Sequence, residues 1–535
     1  VYPQSRTITV GFNLGFQTSK KLIIMKTKKI YKYVLMAALI APLTLTSCSD
    51  DFLDVTPPDK ATLQEYYSNK EHIMEAVVST YNPMRQYDWN NVQYAPLQLC
   101  SDIMADDVWV GGGTSSDNLF LQKMSNYAST QNPGDALTGI WDQSYKGIRN
   151  ANDVLTYIEW AKAALTQADY NTFMAEAKVL RAFYYMQVWK FYGNIPFYFE
   201  NLKSPYIGEQ KSADEVYEAV ISDLESAIGL NALPMKWDDK NLGRMSQAAA
   251  YMIYAEMVMY QNDESRYAKA LSYMQEIIND QQDYDLNPDY ANIFLESGEW
   301  TKESIFEIGY MDDGAVRAWG GGVINAGGTV YPRFISPRDY KESDGVDNGW
   351  GFEPVRLETL DLFDEGDVRK DATIFDGRGK NCDTKSWQYT GLWLKKYIAY
   401  KENNKDQKAD GDLNFNNNLR IYRFAETLLN AAELIVRTGG NMADAEEYLN
   451  KVHHRAGLTD NKAATIDNII DERHKEFVGE GKRYWDLIRT GKAATTLVPD
   501  AYGYRTNTWT EKKKYLPIPL SEIDASHGTL TQNDY

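Results

Sequence analysis

The sequence predicts a mainly α-helical protein, in which a tetratricopeptide-like helical-hairpin scaffold holds an irregular, loop-rich insert carrying short strands. Two observations predict this fold class. Apolar residues recur at steps of three or four over about 61–280 and 419–535, the spacing that puts them on one helix face. Over about 281–418 this periodicity fades, while glycine, aspartate, asparagine and aromatic residues increase. Successive helix pairs of tetratricopeptide length favour hairpin packing, although the strict repeat consensus is absent.

The start of the chain is typical of a secreted lipoprotein. A basic segment from Met25 precedes an apolar run over 33–45, which is too short to span a bilayer as a helix. The run ends in Leu45-Thr46-Ser47-Cys48, a lipobox-like sequence, so we expect lipidation of Cys48. Several acyl chains would anchor the protein stably to a membrane.

Four segments are therefore expected in order. Residues 1–24 are an upstream translation artefact and residues 25–47 are a lipoprotein signal peptide. Residues 48–60 form a lipidated tether, and residues 61–535 form a single domain. Acidic residues just behind Cys48, in Ser49-Asp50-Asp51, resemble the surface-export signal of Bacteroidetes lipoproteins.

Composition narrows the possible partners. The formal net charge is −19 over 535 residues, and such a surface repels phosphate backbones, which argues against nucleic acid as a partner. Three cysteines form no disulfide framework and no CxxC zinc motif. With Cys48 lipidated, Cys100 and Cys382 remain, either paired or free. The five histidines show no metal-binding spacing, so neither a metal nor a cofactor is predicted.

Local signals mark where the scaffold helices begin and end. Gly193, followed by Pro196, ends the helix predicted over 173–192. Ser212-Ala213-Asp214-Glu215 is a capping box that begins the next helix, and Asn441 caps the start of a later one. The periodicity predicts helices over 66–81, 141–160, 173–192, 213–228, 246–260, 265–278, 419–438, 442–456 and 466–477.

Six motifs in consistent order then resemble the SusD/RagB family, which comprises nutrient-capturing surface lipoproteins of Bacteroidetes. They are the helix AEAKVLRAFYYMQVWKFYGNIPFYF over 175–199, KESIFEI over 302–308, NLRIYRFAETLLNAAE over 418–433, LNKVHHRAGL over 449–458, the ER…E…EG…RYWDLIR block over 472–489, and LPIP over 516–519 with the closing Gln532-Asn533. In the fourth motif, His453 stands where the family usually has arginine.

The resemblance implies a function in nutrient uptake without catalysis. A SusD-like protein would be anchored on the outer face of the outer membrane, would bind an oligosaccharide, and would deliver it to a SusC-like TonB-dependent transporter. Several charged residues near the C-terminus could instead suggest acid–base chemistry. Their spacings of three and four suit ion pairs, so we expect a structural network of Arg473, Glu476, Glu480, Arg483, Asp486 and Arg489.

Aromatic residues in polar, irregular segments are the candidate ligand site. Sugars stack their C–H faces on aromatic rings, and their hydroxyls need short polar partners. Three such segments lie in the regions that build the ligand site in SusD-like proteins, and we expect exposed tryptophans there. The candidate residues are Tyr87, Asp88, Trp89, Asn90, Asp107, Trp109, Arg317 and Trp319. Tryptophans on helical stripes, such as Trp141 and Trp485, are expected in the core.

Alternative interpretations remain at this point. A RagB-like protein would bind peptides, a surface glycoside hydrolase would need two carboxylates flanking a sugar, and a pure scaffold would bind no ligand. The segment 406–412 faintly resembles a calcium loop, but Lys408 occupies a position that needs an oxygen ligand, so we interpret it as a surface loop.

Overall fold

The structure is a computed structural model that describes residues 61–535 except 91, 314–316 and 320–326. The predicted signal peptide, the lipobox with Cys48 and the tether lie outside the described residues. The fold is mainly α-helical, with loops and short strands between two groups of helices. Among the described residues, no helix is both long and apolar enough to cross a membrane.

The described part of the chain forms seventeen α-helices, most of them on either side of the insert. They are α1 Leu63–Tyr66, α2 Lys70–Tyr81, α3 Leu97–Asp102, α4 Leu119–Ser125, α5 Gly139–Trp160, α6 Gln167–Tyr192, α7 Ala213–Gly229, α8 Gln247–Gln261, α9 Tyr267–Asn279, α10 Tyr331–Ile335, α11 Arg369–Thr373, α12 Phe424–Thr438, α13 Met442–Arg455, α14 Ile466–Phe477, α15 Arg483–Arg489, α16 Ala493–Thr496 and α17 Leu520–Ala525.

Six short strands form three antiparallel pairs among the described residues. The strands are β1 Ile195–Pro196, β2 Gln210–Lys211, β3 Ser304–Ile308, β4 Ile374–Asp376, β5 Leu392–Leu394 and β6 Leu419–Arg423. β1 pairs with β2, β3 with β6, and β4 with β5. The β3–β6 pair joins the two ends of the insert, because β3 lies near its beginning and β6 directly follows it.

The helices pack as hairpins between neighbours in sequence, notably α5 with α6, α8 with α9, and α12 with α13. The predicted capping box is confirmed, since the Ser212 hydroxyl accepts from the Glu215 amide and the Glu215 carboxylate accepts from the Ser212 amide. Asn441 also caps α13 as predicted, by accepting from the Ala443 amide. The local capping signals therefore identify true helix starts.

α5 and α6 are in tight contact at Gly147. A Cβ atom at this position would lie 2.2 Å from Cε2 of Tyr184, so only glycine allows the tyrosine ring to cross here. Tyr184 belongs to the apolar stripe of α6, and its hydroxyl donates to the Thr80 carbonyl on α2. The family-like helix is thus the centre of a three-helix contact, as its apolar stripe suggests.

Two predicted helix starts are wrong. The helix predicted over 66–81 begins only at Lys70, because a short separate helix ends at Tyr66. The sequence predicts a helix from Leu419, but residues up to Arg423 form β6, and α12 begins at Phe424. The backbone of this segment pairs with β3, whose residues Ser304 and Ile308 lie opposite Arg423 and Leu419. Pairing with a strand far earlier in the chain therefore outweighs the local helical periodicity.

The six residues of the predicted network all form ion pairs, but in three separate groups. Arg473, Asp486 and Arg489 pair with one another and with Glu426 and Glu433, Arg483 pairs with Asp106, and Glu476 and Glu480 belong to a larger buried set. This connected set of buried charges, here named the charge network, contains four cations and five carboxylates: Arg369, Lys396, Arg423 and Arg455 with Glu303, Asp367, Glu472, Glu476 and Glu480. Burial alone would raise the pKa of Glu476, but the surrounding guanidinium groups lower it to about 2. The network therefore holds Glu472, Glu476 and Glu480 ionised inside the core, because their cationic partners lower the pKa of all three.

A second buried group of acids carries little compensation. Asp102 and Glu353 are both fully buried, and burial raises the pKa of Glu353 to about 8. The pKa of Asp102 is also raised, first by burial and then by the charge of Glu353. Tyr331 donates to one oxygen of Glu353, while the other oxygen has no hydrogen-bond partner among the described residues. We name these two residues the buried acid pair.

The two cysteines within the described residues are free thiols. Cys100 is buried on α3, and burial raises the pKa of its thiol well above the usual value. Cys382 is partly buried, with its sulfur 3.9 Å from the Tyr389 hydroxyl. The choice that the sequence left open is thus resolved in favour of unpaired cysteines.

Candidate functional site

Four aromatic side chains from three separate segments meet at one place, and we name them the aromatic cluster: Trp89, Tyr94, Trp319 and Trp350. The ring centroids of Trp89 and Trp319 are 5.2 Å apart, and those of Trp319 and Trp350 are 6.0 Å apart. Tyr94 stacks against Trp89 at 6.0 Å and meets Trp350 edge-on at 5.4 Å. Two of the three expected binding tryptophans, Trp89 and Trp319, are therefore neighbours.

The cluster has a buried floor and an exposed edge. The expectation of an exposed tryptophan is confirmed for Trp319, which is 44% exposed, and is wrong for Trp89, which is only 8% exposed because it packs with Val330 and Leu413. Tyr94 and Trp350 are partly exposed between these extremes. Because the rings are already packed against one another, their exposed faces are held in place before any ligand arrives.

An internal ion pair fixes the segments that carry Trp89 and Trp319. The two guanidinium nitrogens of Arg317 donate to the two carboxylate oxygens of Asp88, at 2.8 and 3.0 Å. Asp88 also accepts from the Thr329 hydroxyl and the Val330 amide, both at 2.9 Å. Burial alone would lower the pKa of Arg317, but Asp88 raises it. Asp88 and Arg317 therefore brace the cluster from beneath and keep their charges paired.

The aspartate-rich segment 406–412 supports the exposed edge of the cluster. One Asp410 oxygen accepts from the Trp319 amide at 2.8 Å. The side-chain amide of Asn414 donates to the Arg317 carbonyl at 2.9 Å and to the Asp410 carbonyl at 2.8 Å. This segment, which faintly resembles a calcium loop in sequence, here fixes the backbone that presents Trp319.

A second arginine ties Trp350 to the same region. The Trp350 amide donates to the Arg333 carbonyl at 2.9 Å, and the Arg333 guanidinium pairs with Asp412 at 2.8 Å. Burial, followed by the charge of Asp412, raises the pKa of Tyr94 to about 12, so its phenol stays protonated at neutral pH. Polar groups thus surround the rings, the combination expected at a site for a ligand with apolar faces and hydroxyl edges.

Comparison with known proteins identifies the family. A family model described as "SusD family" matches residues 259–535, and one described as "Starch-binding associating with outer membrane" matches residues 51–259. The chain belongs to the SusD family. Its relatives include SusD-like protein P25 from Formosa agariphila, which is 26% identical over 560 residues, covering 96% of this chain and 100% of that protein.

Solved structures agree with this membership. Surface glycan-binding protein A from Bacteroides thetaiotaomicron is 52% identical with a TM-score of 0.84, covering 88% of this chain and 100% of that chain. A structure described as the same protein in complex with laminarihexaose is 51% identical with a TM-score of 0.83, covering 87% and 99% of the two chains. The mainly α-helical SusD fold is therefore established for this chain.

In this SusD family member, Trp109 and Asp107 do not join the aromatic cluster. The expectation that Trp109 is exposed is wrong, because it is 2% exposed beneath Arg356, whose guanidinium carbon lies 3.6 Å from the ring centroid. Tyr504 meets the same ring edge-on at 5.2 Å. Asp107 is buried, with one oxygen 2.7 Å from His474. Neither side chain offers a surface to a ligand.

Tyr87 and Asn90 flank the cluster but turn away from it. Tyr87 is buried, and its hydroxyl shares a hydrogen bond of 2.9 Å with Ser144 on α5. The Asn90 side-chain oxygen accepts from the Gln93 amide at 2.8 Å and so closes the turn that leads to Tyr94. Their role is to shape the loop rather than to present polar groups outward.

Sequence reasoning missed two members of the cluster, Tyr94 and Trp350. Trp350 stands between Gly349 and Gly351, a setting similar to the glycine run that follows Trp319. Glycines on both sides of a tryptophan in the insert were therefore an available signal. Tyr94 follows the Asn90 turn, but no local pattern distinguished it from the many other tyrosines of the chain.

One group of potential metal ligands occurs among the described residues. Single ligand atoms of Asp106, Asp107 and His474 lie within 4.8 Å of one another. Both carboxylate oxygens of Asp106, however, accept from the Arg483 guanidinium at 2.9 and 3.0 Å. Burial would raise the pKa of Asp106, but Arg483 brings it down to about 2. The Arg483 guanidinium therefore takes the position that a metal ion would need beside Asp106, and we assign these three residues to ion pairing.

Proposed function

We propose that this SusD family member is a non-catalytic glycan-binding protein that captures a neutral gluco-oligosaccharide on the aromatic cluster. The observation that carries the proposal is the contact between the rings of Trp89, Trp319 and Trp350, with Trp319 open to solvent on a braced loop. A relative at 51% identity, described in complex with laminarihexaose, supports a glucan hexasaccharide as the first ligand to test.

The state of the nearby carboxylates supports binding without bond cleavage. A glycoside hydrolase needs one acid to give a proton and a second carboxylate to act as base or nucleophile. Asp88 is saturated by Arg317, Thr329 and two backbone amides, while Asp412 pairs with Arg333. These groups are committed to holding the loops, so the site stacks and orients a sugar rather than cleaving it.

Replacement of Trp319 by alanine is expected to weaken laminarihexaose binding on the order of 30-fold or more, because losing a central aromatic anchor costs ~2 kcal/mol or more. Trp350→Ala should have a similar effect. Isothermal titration calorimetry measures both. Trp319 contributes little to the core at 44% exposure, so the melting temperature of its variant should stay close to that of the wild type.

Tyr502→Ala provides the matched control, since Tyr502 is a 51% exposed aromatic residue outside the cluster. Its binding constant should equal that of the wild type. Unchanged affinity in both tryptophan variants would contradict the proposed site. Shortening of the hexasaccharide during incubation, detected by chromatography, would contradict the non-catalytic assignment, and selective binding of peptides instead of glycans would favour the RagB-like alternative.

We also propose that the chain is anchored through Cys48 on the outer face of the outer membrane, where it passes its ligand to a SusC-like TonB-dependent transporter. The lipobox-like sequence before Cys48 and the family description "associating with outer membrane" support this part of the proposal. Cys48→Ser is expected to move the protein from the membrane fraction to the soluble fraction of cells. Equal membrane recovery of both forms would contradict lipid anchoring.

A further inference from the structure

A concave surface lies outside the aromatic cluster. It is formed by α5, by the loop over 196–208 and by the C-terminal segment over 522–530, and its volume is about 630 Å³. Pockets for small ligands typically measure about 300–1,000 Å³. None of the four cluster residues lines it. We name this surface the tyrosine groove.

Three tyrosines give the groove its character. Tyr145 and Tyr198 stack with ring centroids 6.2 Å apart, and Tyr206 stands on the loop that faces them. The Tyr145 hydroxyl donates to the Pro196 carbonyl at 2.7 Å, and the Tyr198 amide donates to the Tyr185 hydroxyl at 3.0 Å. The first hydrogen bond fixes the Tyr145 ring and the second fixes the backbone that carries Tyr198, while both rings remain partly exposed.

Tyr206 is the most exposed large aromatic residue described in the chain, at 72%. Its backbone lies in the left-handed region, at a φ of +62°, which bulky residues rarely adopt. The Tyr206 amide donates to the Lys203 carbonyl at 2.7 Å and closes the turn that presents the ring. An unfavourable backbone that displays an apolar ring to water indicates a use for that ring.

Polar groups line the same groove at short range from the rings. Asp142 and Glu522 are partly buried, and burial raises the pKa of both carboxyls, that of Asp142 to about 6 despite the nearby Lys146. Asn201 donates to Asp153 at 2.8 Å and to the Arg149 carbonyl at 3.1 Å, so its amide is fixed in place. The groove therefore combines ring faces with immobilised hydrogen-bonding groups.

We propose that the tyrosine groove is a second binding site for a neutral oligosaccharide, separate from the aromatic cluster. Tyr206 and Tyr198 supply stacking faces, and Asp142 supplies hydrogen bonds to hydroxyls. The lining carries acidic and basic side chains together, which favours an uncharged ligand over an anionic or cationic one. The inference goes beyond the proposed function, because it adds a site rather than extending the first.

The stoichiometry of binding tests the proposal. The full chain is titrated with laminarihexaose, and native mass spectrometry counts the bound molecules. We expect two per wild-type chain, the second with a dissociation constant on the order of 1 mM, as suits a shallow site with one or two ring contacts. The double variant Trp319→Ala/Trp350→Ala should bind one molecule, in the tyrosine groove. Tyr206→Ala should bind one molecule, at the aromatic cluster.

Each outcome distinguishes the two sites. Tyr206→Ala should weaken the second binding event about tenfold through loss of one stacking contact, whereas Tyr502→Ala should leave both events unchanged. Asp142→Asn retains the size of its side chain and tests the polar contribution without removing a ring. A single bound molecule that disappears in the double tryptophan variant would overturn the groove proposal while leaving the cluster site intact.

The converse result, one bound molecule sensitive only to Tyr206→Ala, would instead overturn the proposed cluster site. A third result would reassign the groove to a protein partner. In that case Tyr206→Ala would leave sugar stoichiometry unchanged but reduce co-purification with a transporter, and the carbohydrate proposal would be overturned.

Discussion

Replacement of Arg423 by methionine is expected to destabilise the fold by about 3–5 kcal/mol, the usual cost of removing one partner from a buried ion pair. Arg423 lies at the end of β6, and its guanidinium donates to Glu303 at 2.6 Å, Glu476 at 2.9 Å and Glu480 at 2.8 Å. These partners join β3, the end of α14 and the turn that follows it. Removing this one side chain therefore loosens the contact between the insert and the scaffold.

The charge balance explains why the loss is large. The charge network contains four cations and five carboxylates. Without Arg423, three cations face five carboxylates in a region that water does not reach. The depressed pKa of Glu476 should then rise toward its ordinary value, because one of its three neighbouring guanidinium groups is gone.

Urea unfolding of Arg423→Met, beside the matched variant Arg378→Met, measures this effect. Arg378 also pairs with an aspartate, Asp376 at 2.5 Å, but both side chains are about half exposed, so its loss should change the free energy of unfolding far less than the loss of Arg423. The double variant Arg423→Met/Glu480→Gln should recover part of the lost stability, since it removes one of the carboxylates that then outnumber the cations. If Arg423→Met and Arg378→Met lowered the free energy of unfolding equally, burial of the charge network would not increase the cost of losing a cation.

The buried acid pair is expected to make stability fall as pH rises from about 4.5 to about 8. The pKa of Glu353 is about 8 in the folded protein and about 4.3 in an unfolded chain. Between these values the folded state holds a proton that the unfolded state has released. The bound proton makes its full contribution to the free energy of unfolding below the unfolded pKa. Between the two pKa values this contribution is lost at about 1.4 kcal/mol per pH unit.

Glu353→Gln should flatten this dependence, because a glutamine needs no proton to remain neutral. The variant should match the wild type near pH 5 and exceed its unfolding free energy near pH 8, while Tyr331 can still donate to the amide oxygen. Since the two acids titrate together, Asp102→Asn should produce a similar flattening.

Urea midpoints measured at intervals between pH 5 and pH 9 provide the comparison. Glu209→Gln is the control, because Glu209 is exposed and its removal should leave the pH profile of the wild type unchanged. If the urea midpoints of Glu353→Gln and the wild type change in parallel with pH across this range, the buried acid pair does not hold the additional proton in the folded state.

The helical scaffold was predictable because its signals are local. Apolar residues at helical spacing recur along α5, α6 and α8, and capping residues such as Ser212 and Asn441 lie a few residues from the groups they satisfy. β6 was not predictable in the same way. In a strand of only five residues next to a helix, the spacing of apolar residues does not distinguish strand from helix. Its partner β3 lies far earlier in the chain.

One departure from the family motifs has a simple physical account. His453, which stands in the place of an arginine, lies between Glu472 and Asp460 with a ring nitrogen 2.9 Å from each. The hydrogen bond to Glu472 raises the pKa of the imidazole. The histidine thus makes the same kind of contact with acids that an arginine would make.

The candidate site was predictable in composition but not in geometry. Asp88 and Arg317 are 229 positions apart, and no local pattern indicates that they form an ion pair beneath Trp89. Trp109 has polar neighbours in sequence like those of Trp89, yet a guanidinium and two tyrosines cover it. Exposure depends on which distant segments pack against a side chain. For the same reason, the tyrosine groove had no signature in the sequence.

The β3–β6 pair has a consequence for how proteins of this architecture can change. The chain leaves the scaffold after Ile308 and returns at Leu419, and these two residues are partners in the same antiparallel pair. Both ends of the intervening stretch are therefore fixed side by side. Since closing a longer loop costs only slightly more entropy, this stretch can lengthen or shorten with little strain on the helices. Exchange of this stretch would replace Trp319 and Trp350 and leave Trp89 and Tyr94 in place, provided that the new segment again supplies apolar core residues and the cations of Arg369 and Lys396.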